Sequence, residues 1–511
     1  MRTSTRKNPR ILIVTPEITY LPEGMGNMVQ HLHAKAGGMA DVSASLVAAL
    51  FRQGADVHVS LPHYRKMFNV DVGKLVNDEL RVYMNHLSDS RIHLAEDRVF
   101  YYRDSVYSSY STECFHQAIA FQREVINNII PTVKPDLIHC NDWMTGLIPA
   151  AARRLGIPCL CTVHNIHNIH THKTTLETIE DRGIDAAPFW SNLYFSRPPW
   201  NYEESRSGNE VDMLASGIFA SHYINTVSPT FLLEVINGMY DFVPESIRSE
   251  MAGKYHAGCA TGILNSPDAD YNPEGDKALV VNYSAGSHIE GKRANKTAFQ
   301  ERTGLTIDPE APLFFWPHRL DPVQKGCPLL ANILYRVIDK YYHKNLQIAI
   351  VANGSYQQNF RDIVAKHDFH DRVTVCDFNE DLSRLGFAAS DFMLMPSLFE
   401  PCGLPQMISQ YYGTLPIVRN TGGLHDTVEH LSADGSTGNG FRFNDYDDGG
   451  LFWGIDEAMR FFDRPQAFRA GVIERVMRAA KMRFNHDVTA QEYIKIYEAM
   501  LERPLLSKVY E

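Results

Sequence analysis

The sequence predicts an α/β chain of two doubly wound, Rossmann-like domains facing a deep cleft. Three observations carry that expectation. The chain has 511 residues, and at roughly 150 residues per domain this suggests two to four domains rather than one core. Short apolar runs alternate with amphipathic stretches, the pattern of a parallel sheet with helices on both faces. That alternation begins near residue 11 and begins again near residue 312.

In the first half, Ile11–Val14 reads as a strand. Gly38–Gln53 reads as a helix, because Val42, Leu46, Ala49 and Leu50 recur at helical spacing. Asp56–Leu61 reads as the next strand, and Asp136–Cys140, Pro158–Val163 and Tyr223–Val227 as three more. Asn, Ser, Pro and Asp cluster over Gly262–Pro273, which marks a boundary and gives a first domain of residues 1–265. In the second, 266–487, strands are expected at Pro312–Trp316, Leu346–Ala352, Val373–Cys376, Phe392–Pro396 and Leu415–Val418. The last segment, 488–511, carries Tyr493, Ile494, Ile496, Tyr497 and Leu501 at helical spacing, a face suited to docking. Ligands of open parallel sheets bind at the carboxyl ends of the strands, so a site between the domains is expected.

Composition narrows the function. Hydrophobic residues make up 44% and charged residues 21%, an ordinary globular balance that excludes a disordered, collagen-like or disulfide-scaffold chain. The net charge of −11 argues against a protein that wraps nucleic acid, but leaves room for a small anionic ligand. No apolar run approaches the roughly 18 residues of a membrane span. The apolar stretch after the basic start is Ile11–Val14, too short for a signal peptide. The eight scattered cysteines read as reduced thiols, so a cytoplasmic location is expected.

Four motifs carry chemistry. Lys35-Ala-Gly-Gly-Met-Ala-Asp41 lies between the first strand and first helix. Paired glycines before a helix let main-chain N–H groups approach an anion, and Lys35 adds a charge; the alternative is a glycine turn with a solvated lysine. Arg319 and Lys325 share the loop after the first strand of the second half, where they suit a diphosphate clamp or are two surface charges. Phe399-Glu-Pro-Cys-Gly-Leu404 follows an apolar strand and Thr421-Gly-Gly-Leu-His-Asp-Thr-Val428 comes shortly after. A carboxylate at a strand end beside a glycine turn suits sugar hydroxyls, and a helix start suits phosphate; Glu400 is otherwise a surface loop residue.

Together with Asn141-Asp-Trp143, Thr162-Val-His-Asn165, Thr226-Val-Ser-Pro-Thr230, Gly262-Ile-Leu-Asn265 and Glu290–Gln300, these motifs occur in the order found in bacterial glycogen synthases and plant starch synthases. The chain resembles that family from about Ile11 to Leu501. The resemblance implies a GT-B fold, with the last helix returning to the first domain. It implies retaining transfer of glucose from ADP-glucose or UDP-glucose, ADP-glucose favoured, to the non-reducing end of an α-1,4-glucan such as glycogen or a maltooligosaccharide. It assigns catalytic roles to His164, Arg319, Lys325 and Glu400. It assigns substrate binding to Lys35, Gly37, Gly38, Asp41, Asp142, Asn165, Asn265, Cys402, Gly403, Leu404, Thr421, Gly422 and Gly423. Arg319 and Lys325 match the diphosphate pair; Asp142, His164 and Asn265 match residues around the glucose. A retaining hydrolase would use two carboxylates about 5 Å apart. No second carboxylate is an obvious nucleophile here, so front-face attack assisted by the leaving phosphate is expected, with no metal or other cofactor. No nucleic-acid or membrane partner is expected.

The sequence departs from the family in places. Pro405 stands where a threonine is usual and has no N–H to offer a phosphate. Ala215 replaces an expected lysine, and the Arg319–Lys325 spacing is one residue long. The Ile18–Ala34 segment is longer than usual and reads as a surface loop at the cleft mouth or a flap that affects acceptor choice. His164, His167, His170 and His172 are dense enough to raise metal binding, but lack a cysteine or acidic partner at fixed spacing. Two rivals stand beside an active synthase: a catalytically weak glucan-binding scaffold, and a GT-B transferase with another acceptor.

Overall fold

The computed structural model describes residues 8–26, 29–68, 91–108, 110–164 and 172–506. It divides into two compact units. The first runs up to Val227 and adds Leu232–Ile263 and the segment from His486; the second comprises Ser228–Phe231 and Leu264–Asn485. Asn265, placed at the end of the first domain by the sequence, therefore lies in the second unit.

The first unit holds β1 (Arg10–Val14), β2 (Asp56–Pro62), β3 (Ile92–Ala95), β4 (Leu137–Asn141), β5 (Cys159–Val163), a small antiparallel pair β6 (Lys173–Thr174) and β7 (Val211–Asp212), then β8 (Tyr223–Thr226) and β9 (Ala260–Gly262). Its main sheet is parallel, in the order β3-β2-β1-β4-β5-β8-β9. Ile11–Val14 are fully buried, as a strand covered on both faces requires. The strand order reverses beside β1, which creates the switch point where such sheets bind ligands.

The helix Gly38–Arg52 is buried along almost its whole length rather than on one face. The helix His486–Leu501 packs against it and covers its outer side. That C-terminal helix is keyed in by two tyrosine hydroxyls. Tyr497 Oη lies 2.7 Å from His139 Nδ1, and Asn225 Nδ2 donates to Tyr493 Oη at 3.0 Å. Burial lowers the His139 pKa to about 3, so its ring is neutral.

The Ile18–Ala34 segment is not a passive surface loop among its described residues. Ile18 and Ala34 pair main chain to main chain at 2.9 and 2.8 Å. Between them Leu21, Met25 and Leu32 join the buried core.

The second unit holds β10 (Leu313–Trp316), β11 (Gln347–Val351), β12 (Val373–Cys376), β13 (Phe392–Met395), β14 (Leu415–Arg419) and β15 (Phe441–Phe443). All pair in parallel, in the order β12-β11-β10-β13-β14-β15, with a switch point between β10 and β13. The Glu290–Gln300 motif lies in the helix His288–Thr303 and spends its polar residues on framework. Lys292 Nζ, fully buried, donates to the Ala388 and Tyr412 carbonyls and to Thr414 Oγ1 at 2.9–3.0 Å. Lys296 pairs with Asp391 at 2.7 Å, and Asn295 ties down the main chain at Val280 and Val281. Among the described residues no helix is long and apolar enough to cross a membrane.

Candidate active site

In each unit the singled-out residues gather at the carboxyl ends of strands beside the switch point. In the first unit the chain leaves β1 through Pro16 and Glu17. Glu17 is buried, and its Oε2 accepts the main-chain N–H groups of Ala36 (2.6 Å) and Gly37 (3.0 Å). Burial raises its pKa above the usual carboxylate range, while those two N–H groups pull it back. The Gly37 amide is thus already taken within the unit, and Gly38 is the open glycine at the helix start. Lys35 pairs with Asp41 at 2.8 Å and remains half exposed.

β4 delivers Asn141 and Asp142, and β5 delivers His164. Asp142 has φ 56° and ψ −172°, a region populated essentially by glycine alone. Its Oδ1 accepts the His164 main-chain N–H at 2.8 Å. Burial lowers the His164 pKa to about 4, so the imidazole is neutral at physiological pH. Tyr107 sits by Glu17 and Asp142; burial and those two negative charges raise its pKa. Asn165, His167 and His170 lie outside the described residues.

In the second unit the loop after β10 is wound around Asp321. Its Oδ1 accepts the N–H groups of Val323 (2.9 Å) and Gln324 (3.0 Å). Gly326 then has φ 72°, and a Cβ there would lie 2.1 Å from the Pro396 carbonyl, so only glycine fits. This winding separates the two cations. Lys325 turns inward and pairs with Glu400, with side-chain exposures of 12% and 7%. Arg319 stays 65% exposed, with a long contact of 3.4 Å to Asp321.

Glu400 is fixed by two further contacts: Ser397 Oγ donates to Oε2 at 3.1 Å, and the Gly423 N–H donates to the Glu400 carbonyl at 2.9 Å. The two loops are also tied together by the Leu398 N–H, which donates to the Gln324 carbonyl at 2.8 Å. A Cβ on Gly423 would meet the Cys402 carbonyl at 2.0 Å, which fixes glycine there. Burial pushes the Cys402 thiol up to about 12, although the Asn265 main-chain N–H bonds to it. Asn265 is buried, and its side-chain Oδ1 has no hydrogen-bond partner, an acceptor held ready for a donor. Gly403 has φ 72° and Gly422 φ 44°, so both turns use the left-handed region; Thr421 precedes the short helix Gly422–Thr427. Leu404 is the N-cap of the helix Pro405–Tyr411, and Pro405 takes its first turn, where the missing N–H costs the fold nothing.

Asn265, Lys325, Glu400, Cys402 and Gly423 are thus brought together in the second unit. Lys35, Gly37, Gly38, Asp41, Asp142 and His164 belong to the first. Sequence reasoning missed Glu17, although a carboxylate directly after β1 is a recognisable signal. It also passed over Asn141 inside a quoted motif. Asp426 was missed as an anchor: it accepts from Ser228 Oγ (2.6 Å) and from the Thr230 N–H (3.0 Å) and hydroxyl (2.6 Å).

Comparison with known proteins places this arrangement. Residues 10–246 match the starch synthase catalytic domain, and residues 298–470 match glycosyl transferases group 1. The catalytic domain of starch synthase IV from Arabidopsis thaliana, bound to ADP and acarbose, superposes with a TM-score of 0.74 at 25% identity, covering 97% of this chain and all of that one. The sucrose-phosphate synthase of Thermosynechococcus elongatus shares the fold alone, with a TM-score of 0.55 at 14% identity over 97% of this chain and 99% of that one. Two doubly wound parallel sheets with these sites at their switch points define a GT-B glycosyltransferase. The glycogen synthase of Alkaliphilus metalliredigens is 31% identical over 91% of this chain and 97% of its own, and that of Moorella thermoacetica 31% identical over 97% of each. The chain belongs to the glycogen and starch synthase family, and it is a hexosyltransferase.

Proposed function

We propose that this enzyme moves glucose from ADP-glucose to the non-reducing end of an α-1,4-glucan, glycogen or a maltooligosaccharide, with retention of configuration. The observation that carries the reading is the buried Lys325–Glu400 pair beside the unpartnered Asn265 Oδ1 and Cys402. It joins a cation for a diphosphate to acceptors for sugar hydroxyls, all on buried side chains. ADP rather than UDP is supported by the ADP-bound starch synthase among the structural relatives. In this reading the exposed Arg319 fork grips the diphosphate from outside, while Lys325 meets the charge that develops as the glycosidic bond breaks. Glu400, Asn265, Asp142 and His164 orient the glucose.

The acceptor hydroxyl attacks from the face the diphosphate leaves, and the leaving phosphate oxygen takes its proton. Arg319 and Lys325 supply the positive charge, so no metal is required and a chelator leaves the rate unchanged. The reaction belongs in the cytoplasm, a reading supported by eight free cysteines. The test is incubation with radiolabelled ADP-glucose and UDP-glucose, with and without glycogen. Label should enter glycogen, faster from ADP-glucose, and be released by an α-1,4-specific amylase. Glycogen binding without incorporation would favour a scaffold. Transfer only to a small sugar would favour another acceptor.

A further inference from the structure

Asn141 is buried at the end of β4, and its amide bridges two groups. Nδ2 lies 3.2 Å from the Val14 carbonyl oxygen. A carbonyl only accepts, so the amide nitrogen faces it and Oδ1 faces the other way. Oδ1 lies 2.8 Å from His164 Nε2. An amide oxygen also only accepts, so Nε2 must carry the proton. The His164 main chain is held independently by its N–H bond to Asp142, itself at positive φ. Once Nε2 and the main chain are fixed, Nδ1 is the remaining polar atom of the ring. Among the described residues it has no partner, and it presents a lone pair.

We propose that Asn141 is a positioning residue for glucosyl transfer: it holds His164 as the Nε2–H imidazole, so that Nδ1 accepts a hydrogen bond from a hydroxyl of the transferred sugar. This rests on the reading that His164 meets the glucose. The neutral ring is essential, because an imidazolium would offer a donor at Nδ1 and turn the hydroxyl around. The titratable groups around the ring are His139, also on β4, Asp142 at the main chain, and beyond Asp142 the Tyr107 and Glu17 side chains. His139 is neutral through burial, which leaves Asp142 as the nearest charge.

The first arm uses the wild-type chain, labelled with nitrogen-15 histidine. Imidazole spectra should show His164 protonated on Nε2 and bare on Nδ1 from about pH 6 to 8. A proton on Nδ1 over that range would overturn the proposal, and this arm needs no variant to fold. The second arm is kinetic. Asn141→Asp puts a carboxylate on Nε2–H and raises the His164 pKa. At pH 7, kcat should fall by about tenfold or more and climb back as pH rises, while donor KM changes by less than about threefold. Asn141→Leu should lower kcat without adding an ionisation. A folded Asn141→Asp enzyme with wild-type kcat and pH profile would sink the positioning role. His164→Ala separates the two ideas. If it is inactive while Asn141→Asp is normal, only the positioning role fails. If it is fully active, the His164 reading fails with it.

Discussion

Alanine at Lys325 and alanine at Arg319 should look alike in an activity assay and different in a melt. Both residues come from one loop, but Lys325 is 12% exposed against a Glu400 that is 7% exposed, whereas Arg319 is 65% exposed. Removing one partner of a buried ion pair costs about 3–5 kcal/mol, because the other charge stays buried without compensation. Ser397 still donates to Glu400 at 3.1 Å, which favours the lower figure, about 3 kcal/mol. For a unit of this size that is a fall in Tm of roughly 6–12 °C. Arg319→Ala should stay within about 0.5 kcal/mol of wild type, as exposed substitutions do. In activity each should lose on the order of a hundredfold in kcat, by comparison with loss of one donor to a developing anion. Lys325→Ala with Glu400→Gln should recover most of the lost stability and none of the activity, since it removes the stranded charge. The assays are differential scanning calorimetry and kcat with KM at saturating glycogen. Equal melting temperatures for the two single variants would refute the structural argument. A rise in donor KM alone, with kcat intact, would refute the catalytic one.

Lys292→Met should destabilise by about 2–4 kcal/mol in urea, because two buried carbonyls and a hydroxyl lose their donor. Burial lowers the Lys292 pKa to about 7. The folded state therefore sheds this proton before the unfolded one does, and wild-type stability should rise relative to Lys292→Met from about pH 7 towards pH 10; parallel curves would contradict this. Replacing residues 19–33 by a short Gly/Ser link removes three core side chains, Leu21, Met25 and Leu32. At about 1.5–3 kcal/mol each, the main effect should be on thermal stability. Loss of long-glucan affinity at unchanged Tm would restore the flap reading. Pro405→Thr should return one N–H to the first turn of its helix and lower donor KM by about tenfold with little change in stability; calorimetry and steady-state kinetics read both.

The amino-acid sequence determined the strands that are buried on both faces. Ile11–Val14, Leu313–Trp316 and Leu415–Val418 are unbroken apolar runs, and such runs have one stable use in a parallel sheet. It also determined which loops carry chemistry, since glycine pairs and a strand-end carboxylate are local signals. The short edge strands Ala260–Gly262 and Phe441–Phe443 were not legible, because three residues leave no periodicity to read. The helix Gly38–Arg52 was legible as a helix, but its burial along almost its whole length was not, because its outer face is covered by a helix more than 430 residues later in the chain. Arg319 and Lys325 looked equivalent in sequence. Only the winding about Asp321 and the tight approach at Gly326 turned one into a buried partner of Glu400 and left the other in solvent. Glu17 and Asn141 became visible in the same way: what each holds lies on another strand or loop. Spacing records what a residue is, while burial and hydrogen-bond partners depend on chain segments far apart, and those are set only when the sheets assemble.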